Sequence, residues 1–300
     1  MQKENPAHSR REFISLSGKA FASAALLAST TSVLASSQEQ PTVGQVMDAF
    51  INEVPNSPFE KTVDTLKSGN RDIKVKGIIT TMFATIEVIN KAIASNSNFI
   101  IAHEPTFYNH FDETEWLEKD DVFIYKMDLL KKHNIAVWRN HDYIHTHQPD
   151  GVRDYLVKRL GWTKQYNTES WLADLAPMSL QALIAHAKRS LGIKQLRYIG
   201  DPQQLCKKVL LMPGAAGGQR QITAIGSRKP DVLMCGEIQE WETAEYVRDA
   251  KAKGDKLALI VLGHIPSEEP GSAYMAEWVK NKFPSVPVKH IGAESPFSFG

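Results

Sequence analysis

The order of segments predicts an α/β fold made of two βαβ-type lobes with mostly parallel sheets. Short continuous apolar runs such as "FIIA" (residues 99–102) and "IAVW" (residues 135–138) have strand length and no polar alternation, as expected of strands covered on both faces. Segments with apolar residues at helical spacing, such as Phe123, Met127 and Leu130, alternate with these runs. Polar clusters follow the runs directly, where the strands of an open α/β sheet point their carboxyl ends into a common crevice.

Residues 43–54 place Val43, Val46, Met47, Phe50 and Ile51 on one face of a first helix. Residues 73–83 ("IKVKGIITTMF") predict a strand, and residues 84–94 a helix that Ser95-Asn96-Ser97-Asn98 interrupts. After the strand at 99–102 and a polar loop, Asp120 and Asp121 precede a helix that Asn134 closes, and "IAVW" resumes as a strand. Val152, Tyr155, Leu156 and Leu160 mark a helix ended by Gly161. A further helix covers 180–191, with strands at 195–200 and 208–212.

The segment Pro213-Gly214-Ala215-Ala216-Gly217-Gly218 suits either a tight turn or backbone N–H groups holding an anion at a helix start. It lacks the Gly-Lys-Ser/Thr of a nucleotide P-loop, which favours the turn. "DVLMCG" then leads into a helix over 240–253, "KLALIVLGH" into one over 270–283, and "VPVKHIG" forms a last strand. The expected division is a linker at 36–41, a first lobe at 42–164 and a second at 165–300, with the C-terminal segment packing back on the first.

The first 35 residues stand apart. They carry a basic stretch, a short apolar stretch and the small-residue end Val33-Leu34-Ala35, the pattern of an export signal. Arg10-Arg11 within "SRREFI" resembles the twin-arginine signal for proteins exported already folded. The apolar part, residues 20–35 dotted with Ser and Thr, is shorter than the roughly twenty residues a bilayer span needs. A periplasmic or other extracytoplasmic protein is therefore expected, with no membrane attachment once the signal is removed. Removal takes four basic and two acidic residues, moving the formal charge from +1 to −1. No basic stripe with interleaved aromatics remains, so nucleic acid is not an expected partner. Two cysteines, Cys206 and Cys235, are too few for a disulfide scaffold, and a 42% hydrophobic content supplies a core without one.

Three expected strands end in histidine-containing clusters: His103-Glu104, His141 with His145, and His264 followed by Glu268. One histidine at a strand end is more often structural, but three coincident ends with carboxylates nearby point to a metal site. Imidazole and carboxylate without thiolate suit Zn, Fe or Mn, and disfavour a cysteine-type structural zinc or an all-oxygen calcium site. The donors outnumber the four that a single tetrahedral ion uses, so two divalent ions are expected.

"FIIAHEPTFY", "IAVWRNHDYIH", "MPGAAGG", "DVLMCGEIQEWE", "VLGHIPSEEPG" and "ESPFSF" resemble, in order and spacing, the Nif-three-like dinuclear metal centre family, also labelled GTP cyclohydrolase I type 2-like. The resemblance runs from Val43 to Phe299, and its most specific element is the G-H-x-x-[ST]-E-x-P-G pattern at residues 263–271. It implies a Nif-three-like fold, a dinuclear site and a ring-like homo-oligomer of the hexamer kind. It also implies that His103, His264 and Glu268 are ligands. At the family's second histidine this chain has Glu104, and at its aspartate, four residues after His141, it has His145. The inventory of three imidazoles and two carboxylates is thereby kept, as if a histidine and an acid had exchanged places. Glu240 and Trp241 stand where the family often has two histidines.

The expected function is metal-dependent hydrolysis of a small molecule by a metal-activated water, with Glu104 or Asp112 as general base where not needed as a ligand. His141 is expected to orient a ligand or contact substrate, with Asn109 and His110 on a loop over the crevice. Glu237 is expected beside the site or as a helix cap. The family label implies GTP as substrate, which export disfavours because GTP is scarce outside the cytoplasm. The alternative is a non-catalytic metal-binding or assembly protein.

Overall fold

The computed structural model describes residues 40–298, so the twin-arginine segment lies outside the described residues. Among these, no helix is long and apolar enough to cross a membrane. The chain enters through α1 (Val43–Ile51), where the Thr42 hydroxyl accepts from the Gln45 N–H and the Gln45 side chain accepts in return from the Thr42 N–H. It continues through β1 (Leu66–Ser68), β2 (Ile78–Thr81), α2 (Ile86–Ala94), β3 (Phe99–Ala102), α3 (Asp121–Lys132), β4 (Ala136–Arg139), the single turn and a half of α4 (Asp142–Thr146) and α5 (Gly151–Leu160). Then come β5 (Tyr166–Asn167), β6 (Leu172–Ser179), α6 (Leu180–Leu191), β7 (Arg197–Ile199), β8 (Leu205–Met212), α7 (Gly218–Arg228), β9 (Val232–Cys235), α8 (Glu245–Ala252), β10 (Ala258–Val261), α9 (His264–Lys282) and β11 (Val288–His290).

The strands form two sheets, ordered β1-β4-β3-β2-β11 and β5-β6-β8-β9-β10-β7. The centre of each is parallel: β2, β3, β4 and β11 in the first, β8, β9 and β10 in the second. Antiparallel strands close the margins: β1 on β4, β6 on β8, β5 on β6 and β7 on β10. This is the α/β architecture with two sheets that the alternation of segments predicts.

Both faces of each parallel centre are covered, which explains the unbroken apolar runs. In the first sheet Ile78, Phe99, Ile101, Ala136 and Trp138 face α1 and α9, while Ile79, Ile100, Ala102 and Val137 face α2 and α3. In the second, Val209, Leu211, Val232, Met234 and Ile260 meet α5 and α6, and Leu210, Leu233, Cys235 and Leu259 meet α7 and α8. Cys206 and Cys235 are both buried free thiols.

Local differences from the expected elements have identifiable causes. The strand expected at 73–83 is confined to Ile78–Thr81, because Ile73 and Val75 pack with α1, and the Val75 N–H is used by the Pro41 carbonyl. β6 escapes the sequence pattern since its alternation holds only over residues 172–175 and breaks at Ala176-Pro177, and its register shifts between Asp174 and Met178. The helix expected from Pro270 begins at His264. A Cβ on Gly271 would stand 2.7 Å from Val152 Cγ2, so α9 lies close on α5 there and packing offsets the hydrogen bond that Pro270 cannot make. α9 thus starts at the end of β10 in the second sheet and buries Met275 and Val279 in the core of the first. Its Ser272 carbonyl accepts from the Thr80 hydroxyl of β2 at 2.7 Å.

Candidate metal centre

Strand ends from both sheets deliver the polar groups. Beyond β3, the N–H groups of His103 and Glu104 donate to the carbonyls of Thr81 and Met82 at 3.1 and 2.9 Å, so the parallel ladder itself fixes where these two side chains leave. Beyond β4, buried Asp64 organises the turn into α4. One of its oxygens accepts from His141 and Asp142 N–H at 2.8 and 3.0 Å, and the other accepts from Tyr143 N–H at 2.8 Å. That turn places His141 and, one helical turn later, His145. Beyond β10, Gly263 has φ +93° and α9 opens on His264, with Glu268 four residues on and therefore on the same face.

Four imidazoles are oriented alike, each with Nδ1 anchored. His103 Nδ1 is 3.1 Å from the Asn140 carbonyl, His264 Nδ1 2.9 Å from Glu237, His145 Nδ1 3.3 Å from Asp150, and His141 Nδ1 3.0 Å from Asp142. Their Nε2 atoms turn towards two shared carboxylates. Glu268 Oε2 is 3.0 Å from His264 Nε2 and 3.4 Å from His103 Nε2, and Glu268 Oε1 is 4.0 Å from His145 Nε2. Glu104 Oε1 is 3.2 Å from His264 Nε2 and 3.8 Å from His141 Nε2. Donor atoms of His103, Glu104 and Glu268 lie within 4.8 Å of one another, as do those of His103, His141 and His145. His103 Nε2 is buried with no hydrogen-bond partner. An imidazole anchored at one nitrogen and open at the other is the arrangement of a metal ligand, and this donor set fits divalent cations.

Electrostatics agree with the geometry. Burial alone would raise the Glu104 carboxyl, but the hydrogen bond from His264 and the neighbouring His103 and His141 hold it down at about 2. Glu268 is likewise held well below the carboxylate range despite its burial, by His103 and His264. His264 is pushed up to about 12, its own burial being outweighed by hydrogen bonds to Glu104, Glu237 and Glu268. Ionised carboxylates and imidazoles thus face one another across the site.

The structure brings His103, Glu104, His145, His264 and Glu268 together, with His141 at their side. It corrects the expectation for Asp112 as general base. The Asp112 carboxylate is buried, accepts from Phe107 N–H at 2.7 Å, and lies 3.1 Å from Lys67 and 3.7 Å from Arg139, so both cations neutralise it away from the imidazoles. Asn109 is committed to its own loop: its amide donates to the Glu113 and Phe107 carbonyls and its oxygen accepts from Phe111 and Glu113 N–H. His110 has an exposed ring 6.0 Å from that of His141, and its carbonyl accepts from Arg139. Glu237 is not a helix cap but the partner that orients His264. Glu240 pairs with Arg197 at the surface and Trp241 is 77% exposed, so neither joins the site.

The glycine-rich segment proves to be a close approach. Gly214 has φ +66°, donates its N–H to Ser267 Oγ at 3.0 Å, and would carry a Cβ only 2.2 Å from Glu268 Oε1. It is glycine because Glu268 occupies that space. Asp64, Arg139 and Asp150 are the contributors that sequence reasoning missed. Asp150 did carry a signal as an N-cap, and it does cap α5 through Val152 and Arg153 N–H; its second oxygen additionally meets His145.

Residues 43–296 match the protein family described as Duf34/NIF3 (NGG1p interacting factor 3). The chain belongs to the Duf34/NIF3 family. A Clostridium perfringens relative named GTP cyclohydrolase 1 type 2 homolog is 27% identical over 248 residues, covering 78% of this chain and 90% of the relative. A Clostridium acetobutylicum protein of the same name is 26% identical, covering 71% of this chain and 79% of that one. Among solved structures, a Bacillus cereus protein related to NIF3 superposes with a TM-score of 0.70 at 17% identity, covering 87% of this chain and all (100%) of that one. A Staphylococcus aureus protein gives 0.69 at 20% identity, covering 87% and 100%. These structural neighbours share the NIF3 fold of this chain.

Proposed function

We propose that this NIF3-family protein is an exported dinuclear-metal hydrolase acting on a small molecule. The observation that carries this is the set of anchored imidazoles whose Nε2 atoms converge on Glu104 and Glu268, with buried His103 Nε2 unpartnered. His103, His145 and Glu268 would hold one divalent ion, Zn, Fe or Mn, and Glu104, His264 and Glu268 the other, Glu268 offering one carboxylate to both. Bound there, such ions supply Lewis acidity and lower the pKa of a coordinated water.

The chain's own residues do the rest. Glu104, ionised and tied back to Arg139, keeps a fixed negative charge where the family has a neutral imidazole. Glu237 and Asp150 hold the ring planes of His264 and His145, so the donor atoms need no reorganisation. With Asp112 neutralised by Lys67 and Arg139, His141 is the remaining group for proton transfer: Asp142 holds its Nδ1 and leaves Nε2 facing the crevice. Folded export through the twin-arginine signal allows metal loading before transport, and assembly into a homo-oligomeric hexamer is the reading that the family supports.

Metal analysis of the purified protein should return two ions per chain, and Glu104→Ala should lower that number. The loaded protein should then turn over one class among esters, amides, phosphoesters and cyclic nucleobases. Two ions retained by Glu104→Ala would overturn the ligand assignment. Full occupancy without turnover in any class would replace the hydrolase by a non-catalytic metal-binding or assembly protein.

A further inference from the structure

A hollow with two arginines in its wall lies on the exposed side of α7. It measures about 420 Å³ and is lined by Trp171, Gln219, Arg220, Thr223, Ser227 and Arg228 among others. Its floor is unusually constrained. Trp171 is a bulky residue at φ +59°, held there by a hairpin in which Asn167 Oδ1 accepts from Glu169 and Ser170 N–H, while the Trp171 carbonyl accepts from Leu211 N–H of β8. The guanidinium carbons of Arg153 and Arg228 each lie 4.7 Å from the centre of the indole ring.

The two arginines of the wall, Arg220 and Arg228, have no carboxylate partner among the described residues. Arg153 has only Asp150, at 3.6 Å, and Asp150 is already divided between two helix N–H groups and His145. Arg220 and Arg228 themselves line the hollow, Arg220 exposed and Arg228 half-buried over the indole. Thr223 and Ser227 add hydroxyls to the same wall.

We propose that this hollow is an oxyanion site, separate from the metal centre, that binds the phosphate group of a small molecule. A tetrahedral phosphate offers several acceptor oxygens and a negative charge, matching the planar guanidinium donors of Arg220 and of Arg228, the latter held over the indole. A carboxylate would satisfy fewer of these donors. The site does not depend on the dinuclear reading, since none of its lining residues is among the proposed metal ligands.

The test is calorimetric titration of inorganic phosphate into the full-length purified protein. One phosphate per chain should bind to wild type, and Arg220→Ala/Arg228→Ala should weaken it at least about tenfold. Lys251→Ala, which removes an exposed cation on α8, should leave it unchanged. Glu104→Ala should also leave it unchanged, whereas loss of binding in that variant would place the phosphate on the metal centre and overturn the proposal. Equal affinity in the double arginine variant and wild type, or no binding up to about 10 mM phosphate, would overturn it as well.

Discussion

Arg139 lies fully buried with Nη2 3.4 Å from Glu104 Oε2, while the other oxygen of that carboxylate is 3.2 Å from His264 Nε2. Glu104 therefore turns one oxygen to the site and one to an arginine, and Arg139 also donates to the carbonyls of His103 and His110. A buried carboxylate is tolerable at Glu104 because Arg139 balances it. Arg139→Met should destabilise the protein by about 3–5 kcal/mol, the typical cost of leaving a buried charge unpaired. In a cycle with Glu104→Gln, measured by urea unfolding with chelator present, the two changes should couple by about 1–3 kcal/mol. Additive effects would mean that the contact is not an interaction.

Glu237 acts on the centre only through His264 Nδ1, at 2.9 Å. Glu237→Gln should weaken metal binding by roughly 10–100-fold. Competition against a chelator of known affinity measures this, and the midpoint of urea unfolding of the metal-free protein should barely change, because Glu237 is half exposed. A loss of fold with no specific loss of metal affinity would count against the orienting role.

Gly214 tests the packing around Glu268. Gly214→Ala would place a methyl group 2.2 Å from Glu268 Oε1 on a backbone at φ +66°, so the carboxylate must move. The expected result is reduced metal content together with lower stability. Gly254→Ala, at φ +101° but with open space around it, should reduce stability alone.

Lys126 provides a pH dependence remote from the imidazoles. Its ammonium is buried on α3, donates to the Thr106 carbonyl at 2.7 Å, and is pushed down to about 8 by burial, which Asp112 only partly opposes. Between about pH 8 and the unfolded value near 10.4 the unfolded chain binds the extra proton, so stability rises with pH across that window. The cost is fully present below pH 8 and vanishes as pH passes the unfolded value. Relative to Lys126→Met, wild type should gain on the order of 3 kcal/mol between pH 7 and pH 10.5. A difference that stays constant with pH would refute it.

The sequence by itself determined the strand runs, the alternation with helices and the three histidine-bearing strand ends, because these depend on local periodicity and on side chains that directly follow a strand. That Glu104 and His145 depart from the pattern the resemblance implies was also visible in it. Only the tertiary structure decided what each of those groups faces. Asp64 reaches His141 across 77 residues, His264 meets Glu237 across 27, and Thr80 holds α9 at a separation of 192. The start of α9 at His264 rather than Pro270, and the withdrawal of Asp112 behind Lys67 and Arg139, follow from the same cause. Burial makes an unpaired polar group costly, so each carboxylate takes the partner that the fold places beside it, and chain order carries no trace of which partner that will be.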